Sequence, residues 1–425
     1  MSQKMTLKNG LRVLTSSMPN ALSVGIWVFV KVGSRYEKAQ NAGISHFLEH
    51  MILKGSRKWP TQKELSFVIE SNGGIFNGWT GKENTRYFIK LPKEKVNKGI
   101  EIILDMVFHP ELKEKEFEKE KGVIFQEINR ANDNPDNFIW DLVDKTMWID
   151  HPLGQKIAGY KETVKNLKVK ILGNFFDKFY IPQNMLVVCA GDIKHQDFVK
   201  SIEKFFDKKF AGRKENLDFL PLKEKQKKPR VTLDYKKTVQ SHLVLALKTI
   251  HNNHPDKFIL NIINSLLGVG WSSRLMLNIR TKKSLVYSIH SFTEYLTDTG
   301  SLVITGGIKN EKVMLAVKEM VNELKRLKKE SVEREELQQA KEKLRARLLF
   351  TIELPEDQAE WYARQELFQP KVFTMKEILT KIDSVTPQDI KRVANGLFKS
   401  ERLNLAVVGP HKNKKKFEEL LKKID

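Results

Sequence analysis

Several short segments in the first half of the chain alternate apolar and polar residues, a pattern typical of half-buried strands. Two of them, LRVLTSS and VGIWVFVKVGS, lie near the N-terminus, and residues 73–91 form a hairpin around a polar, glycine-containing turn. Apolar residues spaced three and four apart replace this alternation at about 43–55 and again between 94 and 132, which predicts helices there. The first half therefore predicts strands and helices in separate runs along the chain.

The order of strands and helices repeats in outline in the second half, after a polar segment that contains lysines and prolines. The repeat is clearest where each half ends, in NMLVVCAGDIKHQDFVKSIEKFF and in LNLAVVGPHKNKKKFEELLKKI. These two segments align Gly191 with Gly409, about half a chain length apart. A repeat of this size predicts two domains of one topology.

The length of the chain supports this division, because 425 residues are more than one compact core normally holds. We expect domain 1–212 to be followed by a linker over 213–229 and by a homologous domain 230–425. Because strands and helices fall in separable runs, the expected fold class is α+β, with mainly antiparallel sheets packed against helices.

The net charge of +22 raises the question of a nucleic-acid partner. The lysines are scattered through helical stretches, however, and the sequence contains no aromatic-interleaved RNA-binding motif and no helix-turn-helix pattern. We therefore expect no nucleic-acid function. The proportions of hydrophobic (40%) and charged (30%) residues are those of a globular protein, and no apolar run approaches the ~20 residues of a membrane helix, so no membrane association is expected.

The N-terminal sequence MSQKMTLKNG has neither an apolar signal core nor the arginine- and serine-rich character of a transit peptide. Cys189 is the only cysteine, which excludes an internal disulfide and suits a reducing compartment. We therefore expect a cytoplasmic protein, or a mature form whose presequence has been removed.

The segment His46-Phe47-Leu48-Glu49-His50 carries the clearest chemistry. Residues i and i+4 of a helix share a face, so the imidazoles of His46 and His50 can both point at one ion. Glu49 lies next to that face and is free to hold a water molecule rather than the metal. Two neutral imidazoles, a carboxylate and a water form a catalytic rather than a structural zinc set, and His-x-x-Glu-His is the inverzincin motif.

A third protein ligand is needed, and the segment EKEFEKEKGVIFQEINR offers candidates on one predicted helix. Glu120 and Glu127 are seven residues apart, which is about two helical turns, so both lie on one face. The spacing alone does not choose between them.

Together with its flanking segments, the motif resembles the pitrilysin or insulinase family of zinc peptidases, which includes the mitochondrial processing peptidases. The similar segments are VGSRYE before the motif, SNGGIFNGWTGKENTRYF after it, and GVGWSSRLMLNIRTKKSLVYSI in the second half. In this family a glutamate 77 positions beyond the second histidine completes the site, which implies that Glu127 is the third ligand of one Zn²⁺. The resemblance spans nearly the whole chain and points to the short, two-domain branch of the family.

The resemblance implies roles for Glu120, Arg280 and Tyr287, while the zinc chemistry and the predicted edge strand add roles for Glu49 and Asn77. Glu49 would accept a proton from water and pass it to the departing amine, while Glu120 would support the zinc site from outside the ligand set. Tyr287 would donate a hydrogen bond to the oxyanion, and Arg280 would hold a substrate carbonyl. Asn77, in the predicted edge strand beside the zinc helix, is the candidate substrate contact.

The implied function is a zinc metalloendopeptidase that hydrolyses peptides or unfolded segments inside an enclosed chamber. Short members of the family assemble from two subunits, so we expect a homodimer, with a heterodimer as the alternative, in which Arg280 and Tyr287 of one subunit complete the site of its neighbour. The competing hypothesis is a non-catalytic structural or partner subunit of a processing-peptidase-like heterodimer. The chain keeps both the zinc motif and the Arg/Tyr pair, which favours the active enzyme.

Overall fold

The structure, a computed structural model, describes residues 2–206 and 217–425. Within these residues it contains eleven strands and fifteen α-helices. The strands are β1 (Ser2–Thr6), β2 (Arg12–Ser17), β3 (Ser23–Val30), β4 (Ile75–Thr80), β5 (Thr85–Pro92), β6 (Met185–Gly191), β7 (Arg230–Tyr235), β8 (Gln240–Thr249), β9 (Val286–Tyr295), β10 (Gly300–Lys309) and β11 (Leu403–Gly409).

The helices lie mostly in runs between groups of strands, and a π-helix, Met276–Thr281, precedes β9. The α-helices are α1 (Ile44–Ile52), α2 (Gln62–Glu70), α3 (Val96–Phe108), α4 (Glu114–Asp133), α5 (Pro135–Met147), α6 (Lys161–Asn166), α7 (Val169–Phe179), α8 (His195–Phe205), α9 (Lys257–Gly268), α10 (Val313–Lys329), α11 (Arg334–Thr351), α12 (Pro355–Phe368), α13 (Met375–Asp383), α14 (Pro387–Leu397) and α15 (Lys414–Lys422). Among the described residues, no helix combines the length and the apolar character that crossing a bilayer requires.

The strands form two sheets, and both are mainly antiparallel. The first has the order β1-β2-β6-β3-β5-β4, and the second has the order β7-β11-β8-β10-β9. One neighbouring pair in each sheet is parallel, β2 with β6 and β7 with β11, and the other pairs are antiparallel. The predicted α+β fold with mainly antiparallel sheets is confirmed.

The two sheets share one topology. When β1 is set aside, each sheet places its strands in the order first, fifth, second, fourth, third along the chain. In both, the parallel pair joins the first strand to the last, and the third strand lies at one edge. The repeated order of elements in the sequence therefore corresponds to a repeated arrangement in space.

The chain divides into two compact units that each take in a segment from the other half of the sequence. The first unit comprises described residues within 1–130, 155–220 and 350–372, and the second comprises 131–154, 221–349 and 373–425. The first unit thus includes α12, and the second includes α5. The predicted boundary at residue 212 lies outside the described residues, and the domain limits stay a prediction.

The first unit buries the apolar faces of its sheet on both sides. On one side, helices such as α1 and α3 cover a large core that includes Ile26, Phe47 and Ile103, all inaccessible to solvent. On the other side, α12 packs on β3 and β6 through Ala359 and Ala363, whose small side chains allow a helix to lie close to the strands. Helix α1 is therefore fixed against a rigid, double-layered support.

Candidate metal centre

A glycine and a buried carboxylate fix the residue at which helix α1 begins. Gly43 precedes it with φ of +97°, and a β-carbon at that position would lie 2.7 Å from the main-chain oxygen of Ala158. The buried carboxylate of Glu37 accepts hydrogen bonds from the amides of Gly43 (2.7 Å) and Ser45 (2.9 Å), so it satisfies main-chain donors that a helix start leaves free. Burial raises the pKa of Glu37 to about 7, because it outweighs these two hydrogen bonds.

The buried apolar residues of α1 leave one face of the helix available to bind a metal ion. Phe47, Leu48 and Met51 are inaccessible to solvent and belong to the core of the first unit. The i and i+4 residues His46 and His50 occupy the remaining face, and their ring centroids are 4.5 Å apart. The predicted convergence of two imidazoles on one helix face is therefore present.

Helix α4 brings a carboxylate to the two imidazoles. Oε2 of Glu127 lies 3.7 Å from Nε2 of His46 and 3.5 Å from Nε2 of His50. All three ligand atoms lie within 4.8 Å of one another. Ligands at ~2.05 Å from a tetrahedral zinc are separated by about 3.3 Å, so this set fits zinc with small adjustments.

The electrostatics of the imidazoles also fit a metal. Burial and the neighbouring His50 lower the pKa of His46 to about 3, so its ring is neutral, as a ligand must be. For His50, burial lowers the pKa, but the hydrogen bond with Glu120 and the charge of Glu127 outweigh it and leave the pKa raised. Carboxylates therefore stabilise positive charge at this point, whether it comes from a proton or from a metal ion.

Glu120 lies behind His50 rather than beside the other two ligands. Its Oε1 is 2.8 Å from Nδ1 of His50, and its Oε2 accepts a hydrogen bond from Nζ of Lys54 at 2.7 Å. This contact directs Nε2 of His50 towards Glu127. Burial raises the pKa of Glu120, but the hydrogen bonds from His50 and Lys54 outweigh it and leave the pKa below its ordinary value.

Glu49 is not one of the three converging ligands. Its side chain is 7% exposed, and its Oε2 accepts a hydrogen bond from Oγ1 of Thr80, on β4, at 2.6 Å. Burial raises the pKa of Glu49, and the Thr80 hydrogen bond opposes that rise. Gly78 provides the space beside this carboxylate, because a β-carbon there would lie 2.9 Å from Cγ of Glu49.

Strand β4 is an edge strand, since β5 is its only partner among the described residues. Gly78 and Thr80 face Glu49, so strand alternation puts Asn77 on the opposite face of the sheet, together with Trp79. Asn77 is exposed, and its Oδ1 accepts a hydrogen bond from the amide of Gly78. The structure therefore does not bring the Asn77 side chain to Glu49, and its role in substrate binding stays a prediction.

Arg280 and Tyr287 come together in the second unit. Arg280 lies in the π-helix, and its Nε donates a hydrogen bond to the main-chain oxygen of Tyr287 at 2.6 Å. The Tyr287 ring, on the edge strand β9, is 82% exposed. Their predicted contribution to the site of a neighbouring subunit stays a prediction.

With this geometry established, comparisons with known proteins identify the family. Residues 12–161 match the family described as insulinase (peptidase family M16), and residues 166–344 match the one described as peptidase M16 inactive domain. The chain belongs to peptidase family M16. The resemblance read from the sequence is thereby confirmed, and the first match contains all three ligand candidates of this M16 protein.

Relatives of this M16 protein match it almost from end to end. It is 34% identical over 406 residues to an uncharacterized zinc protease of Rickettsia bellii, which covers 95% of this chain and 97% of the relative. It is 32% identical over 413 residues to the uncharacterized zinc protease YmxG of Bacillus subtilis, with 97% and 99% covered. Such relatives support membership of a zinc metallopeptidase family.

Solved structures show the same architecture. A protease from Helicobacter pylori has a TM-score of 0.91 at 27% identity, with 96% of this chain and 99% of that chain covered. A peptidase M16 inactive domain from Pseudomonas fluorescens has a TM-score of 0.88 at 16% identity, with 97% and 98% covered, and shows the shared fold alone.

Three side chains that support the centre of this M16 protein were not found from the sequence. Lys54 lies four residues beyond His50, so helix spacing could have indicated it. Thr80 and Glu37 gave no such signal, because their contacts depend on how a strand and a loop pack against α1. Glu37 contacts the start of α1, Thr80 contacts Glu49 of the motif, and Lys54 contacts Glu120, the partner of His50.

Proposed function

We propose that this M16 protein is a zinc metalloendopeptidase that hydrolyses peptides or unfolded segments. The observation that carries the proposal is the convergence of His46, His50 and Glu127, with the buried carboxylate of Glu49 beside them. The relatives named zinc proteases support the metal assignment. Zinc bound by these ligands would polarise the scissile carbonyl and lower the pKa of a water molecule to ~7.

Glu49 is the proposed general base. Its carboxylate accepts a proton from the attacking water and then donates it to the departing amine, and Thr80 keeps one carboxylate oxygen in a fixed orientation. Glu120 keeps the His50 ring in place through Nδ1. Each of these steps uses a side chain that is buried and held by a hydrogen bond, as a preorganised site requires.

The substrate is proposed to bind as an extended strand. The outer edge of β4 pairs with no strand among the described residues, so its main-chain groups can add a peptide to the sheet. Recognition through main-chain hydrogen bonds suits peptides and unfolded segments. Asn77 remains a candidate contact at this edge, on the face away from Glu49.

The resemblance to short M16 members leads us to propose a homodimer, with a heterodimer as the alternative. Arg280 and Tyr287 of one subunit would then complete the site of the other, where Arg280 holds a carbonyl of the substrate and Tyr287 donates to the oxyanion. Two such subunits would enclose a chamber that admits unfolded chains. We propose the cytoplasm as its location, because the single, buried Cys189 suits a reducing compartment.

The second candidate function is a non-catalytic partner subunit, because the family matched by residues 166–344 is described as an inactive domain. A chain with this role would still need to fold and dimerise, but would have no use for a base beside the ligands. The presence of Glu49 beside the ligand set therefore favours the enzyme.

The test couples metal analysis to a cleavage assay on a mixed pool of unstructured peptides, with and without a chelator. The wild-type chain should bind one zinc per subunit and cleave, and chelation should abolish cleavage. Glu49→Gln should retain zinc and lose hydrolysis, while the matched control Glu118→Gln, at an exposed position of α4, should behave as wild type. Unchanged turnover in Glu49→Gln, or no cleavage by the zinc-loaded wild type, would refute the proposal.

A further inference from the structure

Two large aromatic side chains of the second unit are exposed on either side of Arg280. The indole of Trp271 is 71% exposed and the ring of Tyr287 is 82% exposed. The guanidinium carbon of Arg280 lies 4.5 Å from the centre of the Trp271 ring and 5.9 Å from that of Tyr287. The two rings and the guanidinium thus place a large apolar area and a cation side by side on the surface.

The loop that carries Trp271, residues 269–273, is anchored to neighbouring elements. A β-carbon on Gly268, the last residue of α9, would lie 2.4 Å from Oγ of Ser291 on β9, so glycine is required where the helix ends and the loop begins. The loop main chain is held by Nζ of Lys343, which donates to the oxygen of Val269 at 3.2 Å. The loop that carries the exposed Trp271 is therefore anchored where it begins.

The chain that follows the loop is anchored as well. Arg274 forms a two-point ion pair with Glu336, at 2.7 and 2.6 Å. Within the π-helix, the side-chain nitrogen Nδ2 of Asn278 donates a hydrogen bond to the buried carboxylate of Glu323 at 2.9 Å. Trp271 and Arg280 are thus presented from two fixed points of the same unit.

Arg280 is held in a fixed orientation, but not all of its hydrogen-bond donors are used within the described residues. Its Nε donates to the Tyr287 main-chain oxygen, and its guanidinium carbon lies over the Trp271 ring. Its two terminal nitrogens have no protein acceptor in the described part of the chain. A guanidinium held in this way can donate to a peptide oxygen, while the indole next to it offers apolar area.

We propose that Trp271 determines specificity: its ring fixes the Arg280 guanidinium and its exposed area binds an aromatic or large aliphatic side chain of the peptide that Arg280 holds. The inference rests on the proposed peptidase function and adds a preference to it. Tryptophan, tyrosine and arginine are the residues most enriched among those that dominate binding energies, and all three meet here. A small or polar side chain of the peptide at the same position would leave the indole exposed and would add little binding free energy.

The test measures binding of two fluorescently labelled, unstructured peptides to the zinc-loaded Glu49→Gln chain by fluorescence anisotropy. One peptide contains phenylalanine at every third position, and the other has alanine at those positions. Trp271→Ala should weaken binding of the phenylalanine peptide about tenfold and that of the alanine peptide no more than about twofold. Trp271→Phe, which keeps an aromatic ring, should restore most of the difference.

The chain offers a matched control at the opposite edge of the same sheet. Tyr235, on β7, is also an exposed aromatic in contact with a cation, since Nζ of Lys412 lies 4.7 Å from its ring centre. Tyr235→Ala should leave the affinity for both peptides unchanged. Equal weakening of both peptides by Trp271→Ala, or no weakening of either, would overturn the inference.

Failure of this inference can be told apart from failure of the proposed function. Binding is measured on a chain that cannot hydrolyse the peptides, and cleavage of the same peptides is measured separately on the wild type. Selective loss of the phenylalanine peptide supports the role of Trp271 even where the wild type does not cleave. Cleavage by the wild type together with unchanged selectivity in Trp271→Ala rejects the role of Trp271 alone. The absence of measurable binding to either peptide also rejects that role, and it rejects the proposed function only where the wild type does not cleave.

Discussion

The hydrogen bond between Thr80 and Glu49 is the contact whose removal tests the proposed catalytic base most directly. Oγ1 of Thr80 lies 2.6 Å from Oε2 of Glu49, and Thr80 is only 5% exposed. Thr80→Val replaces the hydroxyl by a methyl group of nearly the same size. The substitution therefore removes a donor to a buried carboxylate while the side chain keeps nearly the same shape.

The size of the effect follows from the kind of hydrogen bond. A short bond from a hydroxyl to a buried, charged acceptor is worth about 1.5–3 kcal/mol. If the orientation of Glu49 is needed in the transition state, the loss corresponds to about a 10- to 150-fold lower rate constant, since ~1.4 kcal/mol is a factor of ten. We expect the loss in kcat, with KM changed little, because Thr80 orients the base rather than the substrate.

The assay is steady-state hydrolysis of one fluorogenic peptide, together with zinc analysis of each variant. Thr80→Ser keeps the hydroxyl and should recover most of kcat, and all variants should retain zinc. Thr85→Val is the matched control, because Thr85 is equally buried on the adjacent strand but donates to the main-chain oxygen of Val32. It should share the cost in stability without the large loss of kcat.

Two outcomes would refute this reasoning. If Thr80→Val kept kcat within about twofold of wild type while retaining zinc, the orientation of Glu49 by Thr80 would not matter for the reaction. If Thr80→Val and Thr85→Val lost the same activity, the effect would come from β4 and β5 as a whole and not from the contact with Glu49.

Three further predictions concern the rest of the centre. Glu120→Gln should weaken zinc binding about 10- to 100-fold in chelator competition, because His50 loses its charged partner, whereas Glu118→Gln should not. Burial raises the pKa of Glu37 from 4.5 to about 7. Between these two pH values Glu37 therefore keeps a proton in the folded chain that it has lost in the unfolded chain. The unfolding temperature should therefore fall as pH rises from 4.5 to 7, and less so in Glu37→Gln; equal falls in calorimetry would contradict this. Glu49→Gln and Tyr287→Phe subunits, inactive alone, should regain activity when mixed, and no recovery after demonstrated subunit exchange would argue against a shared site.

Local rules predicted the part of the structure that depends on neighbours in sequence. Helix periodicity placed His46 and His50 on one face of the first helix. The two-turn spacing put Glu120 and Glu127 on one face of a different helix. The spacing left the third ligand open between the two glutamates. The structure separates them, since Glu127 lies beside both Nε2 atoms while Glu120 contacts Nδ1 of His50.

Features that depend on long-range packing were not predictable in this way. Strand β1 (Ser2–Thr6) is polar and mostly exposed, and it is a strand because its main chain pairs with β2. The place of α5 in the second unit and of α12 in the first was not predictable either, because the sequence of a helix does not specify which sheet it covers. Thr80 meets Glu49 only because β4 packs next to α1.

The supports of the candidate centre share a common physical design. Helix α1 is nine residues long, too short to hold its own shape in water, and its apolar side chains fix only its position on the core. The groups that do chemistry are fixed separately: Glu37 holds the start of the helix, Glu120 holds the His50 ring, and Thr80 holds the carboxylate of Glu49. These supports come from three different segments of the first unit. A change in one of them should therefore displace one functional group and leave the others in place, whereas a loss of core packing under α1 should displace all of them together.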